Sequence, residues 1–149
     1  MKPNATLNFL LEQAKELYES RTRELGLATQ KRDQETHKTN MLQNYLQEYH
    51  DRLRSGSENG ITVADLINFQ GFIAKLQDAF ELQKRALFMS ERHLDLSKEQ
   101  WREANRKMKS LEILLERRRK VAELAELRRE QREMDAFAAR ASLIKQSAY

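Results

Sequence analysis

Three histidines, His37, His50 and His93, are the first residues to weigh for metal binding or proton transfer. They are scattered along the chain, far from one another, so the spacing predicts no metal site. Cysteine is absent, which removes thiolate ligands, disulfides and a thiol nucleophile together. Carboxylates are plentiful, with 23 Asp and Glu against 27 Lys and Arg. They are interleaved with bases at helical spacing, the pattern of a solvated helix surface rather than of a paired acid and base. The four glycines stand apart and form no phosphate-cradling loop. No enzymatic activity and no cofactor are expected. A net charge of +4 is mixed in sign and lacks the one-sided patch of a nucleic-acid interface, so no nucleic-acid partner is expected.

The elements that carry these side chains are helices. The chain is 34% charged and 40% hydrophobic, with one proline, and its mean hydropathy is −0.83. That composition, with helical periodicity, suits a narrow coiled-coil seam better than a thick core. Met1 to Thr6 leads into a short apolar patch, Leu7 to Leu11, broken at Glu12; it lacks the features of a secretory signal. No run nears the roughly 20 apolar residues that span a bilayer, so direct membrane insertion is not expected and the cytoplasm is the simplest setting.

Glycine and proline punctuate the chain. Pro3 precedes a stretch with no further proline, and Ser55-Gly56-Ser57-Glu58-Asn59-Gly60 is the one concentrated turn signal. Thr62-Val63-Ala64-Asp65 then reads as a capping pattern opening a second helix. The expectation is a single all-α domain over residues 1–149: helix one about 5–54, turn 55–61, helix two about 62–141. A short turn makes the pair antiparallel, a two-helix coiled coil whose second helix is the longer. At about 1.5 Å per residue the helices measure about 75 Å and about 110 Å. About the last 30 residues of the second therefore lack a partner in the hairpin.

Heptad steps from Leu66 meet Ile73, Phe80, Leu87, Leu94, Trp101, Met108, Leu115 and Ala122, all apolar. The companion column, Phe69, Leu76, Gln83, Ser90, Ser97, Ala104, Leu111, Arg118 and Ala125, turns polar in its middle. Helix one is less regular. Its stripe of Leu7, Leu10, Leu11, Ala14, Leu17, Tyr18, Leu25 and Ala28 is lost from Thr29 to Asn40. Met41, Leu42, Tyr45, Leu46, Tyr49 and Leu53 restore it. Reflection about the turn sets this polar stretch against residues 76–87, weak seam against weak seam.

Two features exceed what a seam needs. Near the turn, Phe72, Leu76, Ala79 and Gln83 share a strip, with Phe72 and Ala79 roughly 75° from the core centre. Tyr45 and Tyr49 compete there with Leu46 and Leu53 for burial. The strip reads either as a wide core or as an exposed docking patch, the latter favoured by the enrichment of tyrosine at interfaces. Towards the C-terminus, Arg117 to Lys120, Arg128, Arg129 and Arg132 alternate with glutamates, and Met134, Phe137, Ala138 and Ala141 add an apolar stripe. This end reads either as a solvated charged helix or as a segment inserted into a larger assembly.

The chain resembles the FliJ family of the flagellar type III export apparatus along essentially its whole length. The resemblance rests on Leu42-x-x-Tyr45-x-x-x-Tyr49, Ile67-Asn68-Phe69-Gln70-x-Phe72-Ile73-x-x-Leu76, Trp101-Arg102-Glu103 and Gln131-x-x-Met134-Asp135-x-Phe137-Ala138-x-Arg140-Ala141. It implies an antiparallel coiled coil shaped like the stalk of rotary ATPases, cytoplasmic and peripheral at the inner membrane. It further implies contacts with the hexameric export ATPase FliI, the export gate protein FlhA and export chaperones. The implied gate-docking residues are Leu42, Tyr45, Tyr49, Phe72, Leu76 and Ala79. Lys38 and Gln83 stand on that surface where the family carries glutamine and histidine. The C-terminal contact with the ATPase ring falls on Arg128, Arg132, Met134, Asp135, Phe137 and Arg140. A general export chaperone and a generic coiled-coil dimerisation module are the alternatives.

Overall fold

The computed structural model describes residues 3–148, with side chains from Asn4 onward. Two helices account for nearly all of it: α1, Pro3–Asn59, and α2, Val63–Ser147. The fold is an all-α antiparallel hairpin whose second helix is the longer, 85 residues against 57. The chain divides into two compact units, one of residues 17–104, the other of residues up to Glu16 and from Asn105 on.

The turn is shorter than the sequence suggests. Ser55 to Asn59 continues α1, and only Gly60, Ile61 and Thr62 lie between the helices, in place of a turn over 55–61. Gly60 adopts φ +81°, the left-handed conformation that closes a helix C-terminus and that L side chains resist. Gly56 is not a turn residue; its bare Cα makes room for Ile61. A Cβ at position 56 would sit 2.8 Å from Ile61 Cγ2. The capping pattern forms as read: the Asp65 N–H donates to Thr62 Oγ1 at 3.1 Å, and the Leu66 N–H donates to the Thr62 carbonyl at 3.0 Å.

In the unit of residues 17–104, the covered positions of α2 follow the heptad columns from Leu66 to Ala104, each buried or half-buried. Those of α1 step by alternating threes and fours from Tyr18 through Arg21, Leu25, Ala28, Arg32, Glu35, Thr39, Leu42, Leu46, Tyr49 and Leu53. The seam therefore runs through the stretch where apolar residues fail, carried by polar side chains that find partners. Descending pairs mark the antiparallel register: Tyr49 with Phe69, Glu35 with Gln83, Tyr18 with Trp101. Trp101 Nε1–H donates to Thr22 Oγ1 at 3.0 Å while its ring lies 5.7 Å from that of Tyr18. This satisfies the one polar atom of the largest seam residue.

In the other unit, Leu7 and Ala14 are buried and Leu11 half-buried, and Met108, Leu111 and Leu115 are half-buried on α2. Leu10 lies off the seam and is exposed, and Leu17 of the first unit does likewise. From Glu116 to Ala148 every residue is exposed, so Ala122, Arg118 and Ala125 extend the heptad columns without cover. The segment lacking a hairpin partner is present as read, and it stays helical to Ser147 rather than ending near 141.

Candidate functional site

The side chains proposed near the turn divide into two groups. Leu42, Tyr49 and Leu76 occupy seam positions and are half-buried, whereas Tyr45 and Phe72 are each 45% exposed and Ala79 is exposed. Competition among the α1 residues is settled by register: Leu46 is buried, Tyr49 and Leu53 are half-covered, and Tyr45 is left outside. Tyr49 ties the groups together. Its ring lies 4.6 Å from Phe72 and 6.4 Å from Phe69, both tilted, and the Arg52 guanidinium stands 5.2 Å above its ring centre. The result is an aromatic ledge, anchored in the seam and exposed on its Tyr45 and Phe72 side.

Gln83 and Lys38 behave differently from each other. Gln83 is half-buried, and its amide donates to the Glu35 carboxylate and, at 3.2 Å, to the Glu35 carbonyl. Its amide N–H donors are thus spent inside the seam. Lys38 is exposed, 3.8 Å from the same carboxylate. Glu35 is itself buried, and Lys31 reaches it at 2.8 Å. The Lys31 hydrogen bond, then that of Gln83, holds the Glu35 carboxyl below its ordinary range, outweighing burial, with the Lys31 and Lys38 charges adding to the effect. A carboxyl with a lowered native pKa stabilises the fold at pH above the ordinary glutamate range, and this contribution disappears as pH falls through the native pKa. Glu35→Gln is therefore expected to flatten the acid side of the stability profile, read by far-UV circular dichroism. An acid limb identical to wild type would show that Glu35 is not the group responsible.

In the C-terminal segment, Arg128, Arg132, Met134, Asp135, Phe137 and Arg140 are all exposed. Met134 and Phe137 are the most open of them among the apolar residues, at 68% and 73%. Asp135 accepts from the Gln131 amide at 3.1 Å. Arg129 pairs with Glu126, and Arg119 is held by Glu116 and Glu123 and kept firmly charged. Arg128, Arg132 and Arg140 make no ion pair among the described residues and present free guanidinium groups.

Seam-centred reading passes over several exposed apolar residues, Leu82, Met89 and Leu96 on α2 and Leu27 on α1, and it places Met41 in the α1 stripe, where the structure leaves it exposed. Their signal was available as a second heptad register, displaced from the seam. Among the described residues no cluster of three or more His, Asp or Glu side chains is arranged to hold a metal, and no helix is long and apolar enough to cross a membrane. Some surface concavities are lined by successive turns of one helix, as at Asn44, Gln47, Glu48 and Asp51, and others by both helices, as at Asn4, Leu11, Leu115 and Ala122.

A helical hairpin with an anchored aromatic ledge and an exposed terminal helix has the make-up of a coiled-coil protein. The family model for the flagellar FliJ protein matches residues 2–147. Flagellar FliJ proteins of Salmonella typhi and Escherichia coli (strain K12) are each 32% identical over 145 residues, covering 97% of this chain and 99% of theirs. The chain belongs to the FliJ family and is a coiled-coil component of flagellar protein export. The solved structure of a YscO homolog, CT670, from Chlamydia trachomatis is 14% identical with a TM-score of 0.46, covering 97% of this chain and 94% of the other. That likeness is too loose to carry weight.

Proposed function

We propose that this chain is a stalk-like coupling protein of the flagellar type III export apparatus, without catalytic activity of its own. In this reading, Tyr45, Phe72 and Ala79, set on Leu42, Tyr49 and Leu76, dock on a FlhA-like export gate. Arg128, Arg132, Met134, Asp135, Phe137 and Arg140 contact a FliI-like hexameric ATPase. Export chaperones are escorted on the same chain, and the protein works at the cytoplasmic face of the inner membrane.

The observation that carries the reading is the coexistence of two surfaces of different make. One is an aromatic ledge braced by the seam, which presents a rigid shape. The other is a helix exposed on every side from Glu116 to Ala148, with apolar side chains and free arginines on it. A segment exposed all round gains its stability from whatever encloses it, and a ring interior encloses a helix on all sides.

The ledge is tested by Tyr45→Ala combined with Phe72→Ala. These residues are the exposed half of the ledge, so the hairpin should keep its helicity while affinity for the cytoplasmic fragment of the gate protein falls at least about tenfold, the loss of one large apolar contact. Wild-type affinity in a folded double variant would refute gate docking at this surface.

A further inference from the structure

The seam has two edges, and they differ in chemistry. On α1 the residues immediately before the Arg32, Thr39 and Leu46 seam positions are Lys31, Lys38 and Tyr45, and the next stripe outward holds Leu27, Gln34 and Met41. Together they step by alternating fours and threes from Leu27 to Tyr45. On α2 the residues before Ile73, Phe80, Leu87 and Leu94 are Phe72, Ala79, Ala86 and His93, with Lys75, Leu82, Met89 and Leu96 outward of them. These step likewise from Phe72 to Leu96.

Antiparallel packing puts both stripes along the same edge. Phe72 and Gln100, each one residue before an α2 seam position, reach the α1 seam residues Tyr49 and Arg21. The other edge is marked by Thr22, one residue after an α1 seam position, bonded to Trp101. That edge carries Thr22, Thr29 and Thr36 on α1 and Gln77, Lys84 and Glu91 on α2. The first edge instead exposes Leu82, Met89 and Leu96 opposite Leu27 and Met41, each more than two-fifths open.

Two helical walls with matched heptad stripes form a trough with the shape of a missing third helix. Its charge says which helix. Lys31 and Lys38 stand along the α1 wall and Lys75 along the α2 wall; Glu24 at the far end is held by Arg21 at 2.9 Å. Glu35 offsets part of the lysine charge from within the seam. Lys75 has no ion pair among the described residues. A second copy would set like charge on like charge, and the residues from Glu116 to Ala148 are themselves net basic.

We infer that this edge, centred on Leu82, Met89 and Leu96 with Leu27 and Met41, receives an acidic amphipathic helix of a partner protein, completing a three-helix layer. The ledge residues Tyr45, Phe72 and Ala79 stand at one end of this same edge; the inference goes beyond gate docking and does not depend on it, since its central residues lie outside the ledge.

The test uses the full chain and two synthetic helices of about 25 residues, long enough to span the trough. Both carry leucine and alanine at seam positions, one flanked by glutamate and the other by lysine. The glutamate helix is expected to bind saturably, at least tenfold tighter than the lysine helix, by fluorescence anisotropy. Leu82→Asp with Met89→Asp should weaken it at least tenfold without moving the melting temperature, because both side chains are exposed. Phe88→Asp, on the other side of α2, should bind as wild type. Gate-fragment binding should survive Leu82→Asp with Met89→Asp, so the two surfaces can fail separately. No saturable binding, equal affinity for the two helices, or an unaffected double variant would overturn the inference. So would light scattering that shows a dimer broken by the same double variant, since a second copy would then fill the trough.

Discussion

Met134→Asp combined with Phe137→Asp is expected to melt at the wild-type temperature and to lose between about tenfold and a thousandfold in affinity for the hexameric export ATPase. The first half follows from exposure. Met134 and Phe137 are among the most open large apolar residues of the chain, and no hairpin contact exists there to lose. Surface changes away from caps and buried networks stay within about 0.5 kcal/mol. The second half follows from what exposure means for a partner. An apolar side chain of this size contributes about 1.5–3 kcal/mol when fully covered, and about 1.4 kcal/mol is a factor of ten. Aspartate adds a desolvation cost where leucine-sized surface was to be buried. Isothermal titration against the assembled ring, beside a thermal melt, separates the two effects. A destabilised variant, or one that binds the ring as wild type does, would remove the C-terminal contact from the proposal.

Much of this architecture could be read from periodicity because a coiled coil is a one-dimensional pattern. The columns from Leu66 to Leu115 are buried or half-buried throughout, and Ala122, the next step of the same column, is exposed. What stayed hidden has a common cause: each feature depends on a partner distant in sequence. The stretch from Thr29 to Asn40 looks like a lost seam when only apolar residues are counted. Glu35 and Gln83 are 48 residues apart, and their pairing keeps the seam closed without a hydrophobic side chain. Ser57 and Gly56 look like loop residues until Ile61 is seen to need the space that Gly56 leaves. Of the ledge, the tyrosines were legible as competitors for burial, but which one lost depended on the phase of α1. The second heptad stripe was visible in principle. It repeats at the same heptad spacing as the seam and differs from it only in phase.

Leu94→Ala is the inverse experiment: a large expected loss of stability with no surface altered. Leu94 is 3% exposed, the best covered of the large apolar side chains described. Its companions in the neighbouring column are Ser90 and Ser97, both buried and both small. The Ser90 hydroxyl is turned back to the Leu87 carbonyl at 2.7 Å, so it brings no bond across the seam. Between Leu87 and Trp101, Leu94 is thus the one large side chain in the heptad columns of α2. Truncating a buried leucine to alanine costs about 2–5 kcal/mol, the upper end applying where neighbours cannot collapse into the space. Serines fixed on a straight helix are poor at collapsing. Against a typical domain stability of about 5–15 kcal/mol, that loss should shift the denaturant midpoint substantially and open the middle of the hairpin first. Hydrogen exchange should show amides around Leu87 to Trp101 losing protection ahead of those flanking the turn, while the folded fraction still binds the gate fragment. A cost below about 1 kcal/mol would mean that the polar layer at Glu35 and Gln83, rather than the apolar column, holds the two helices in register.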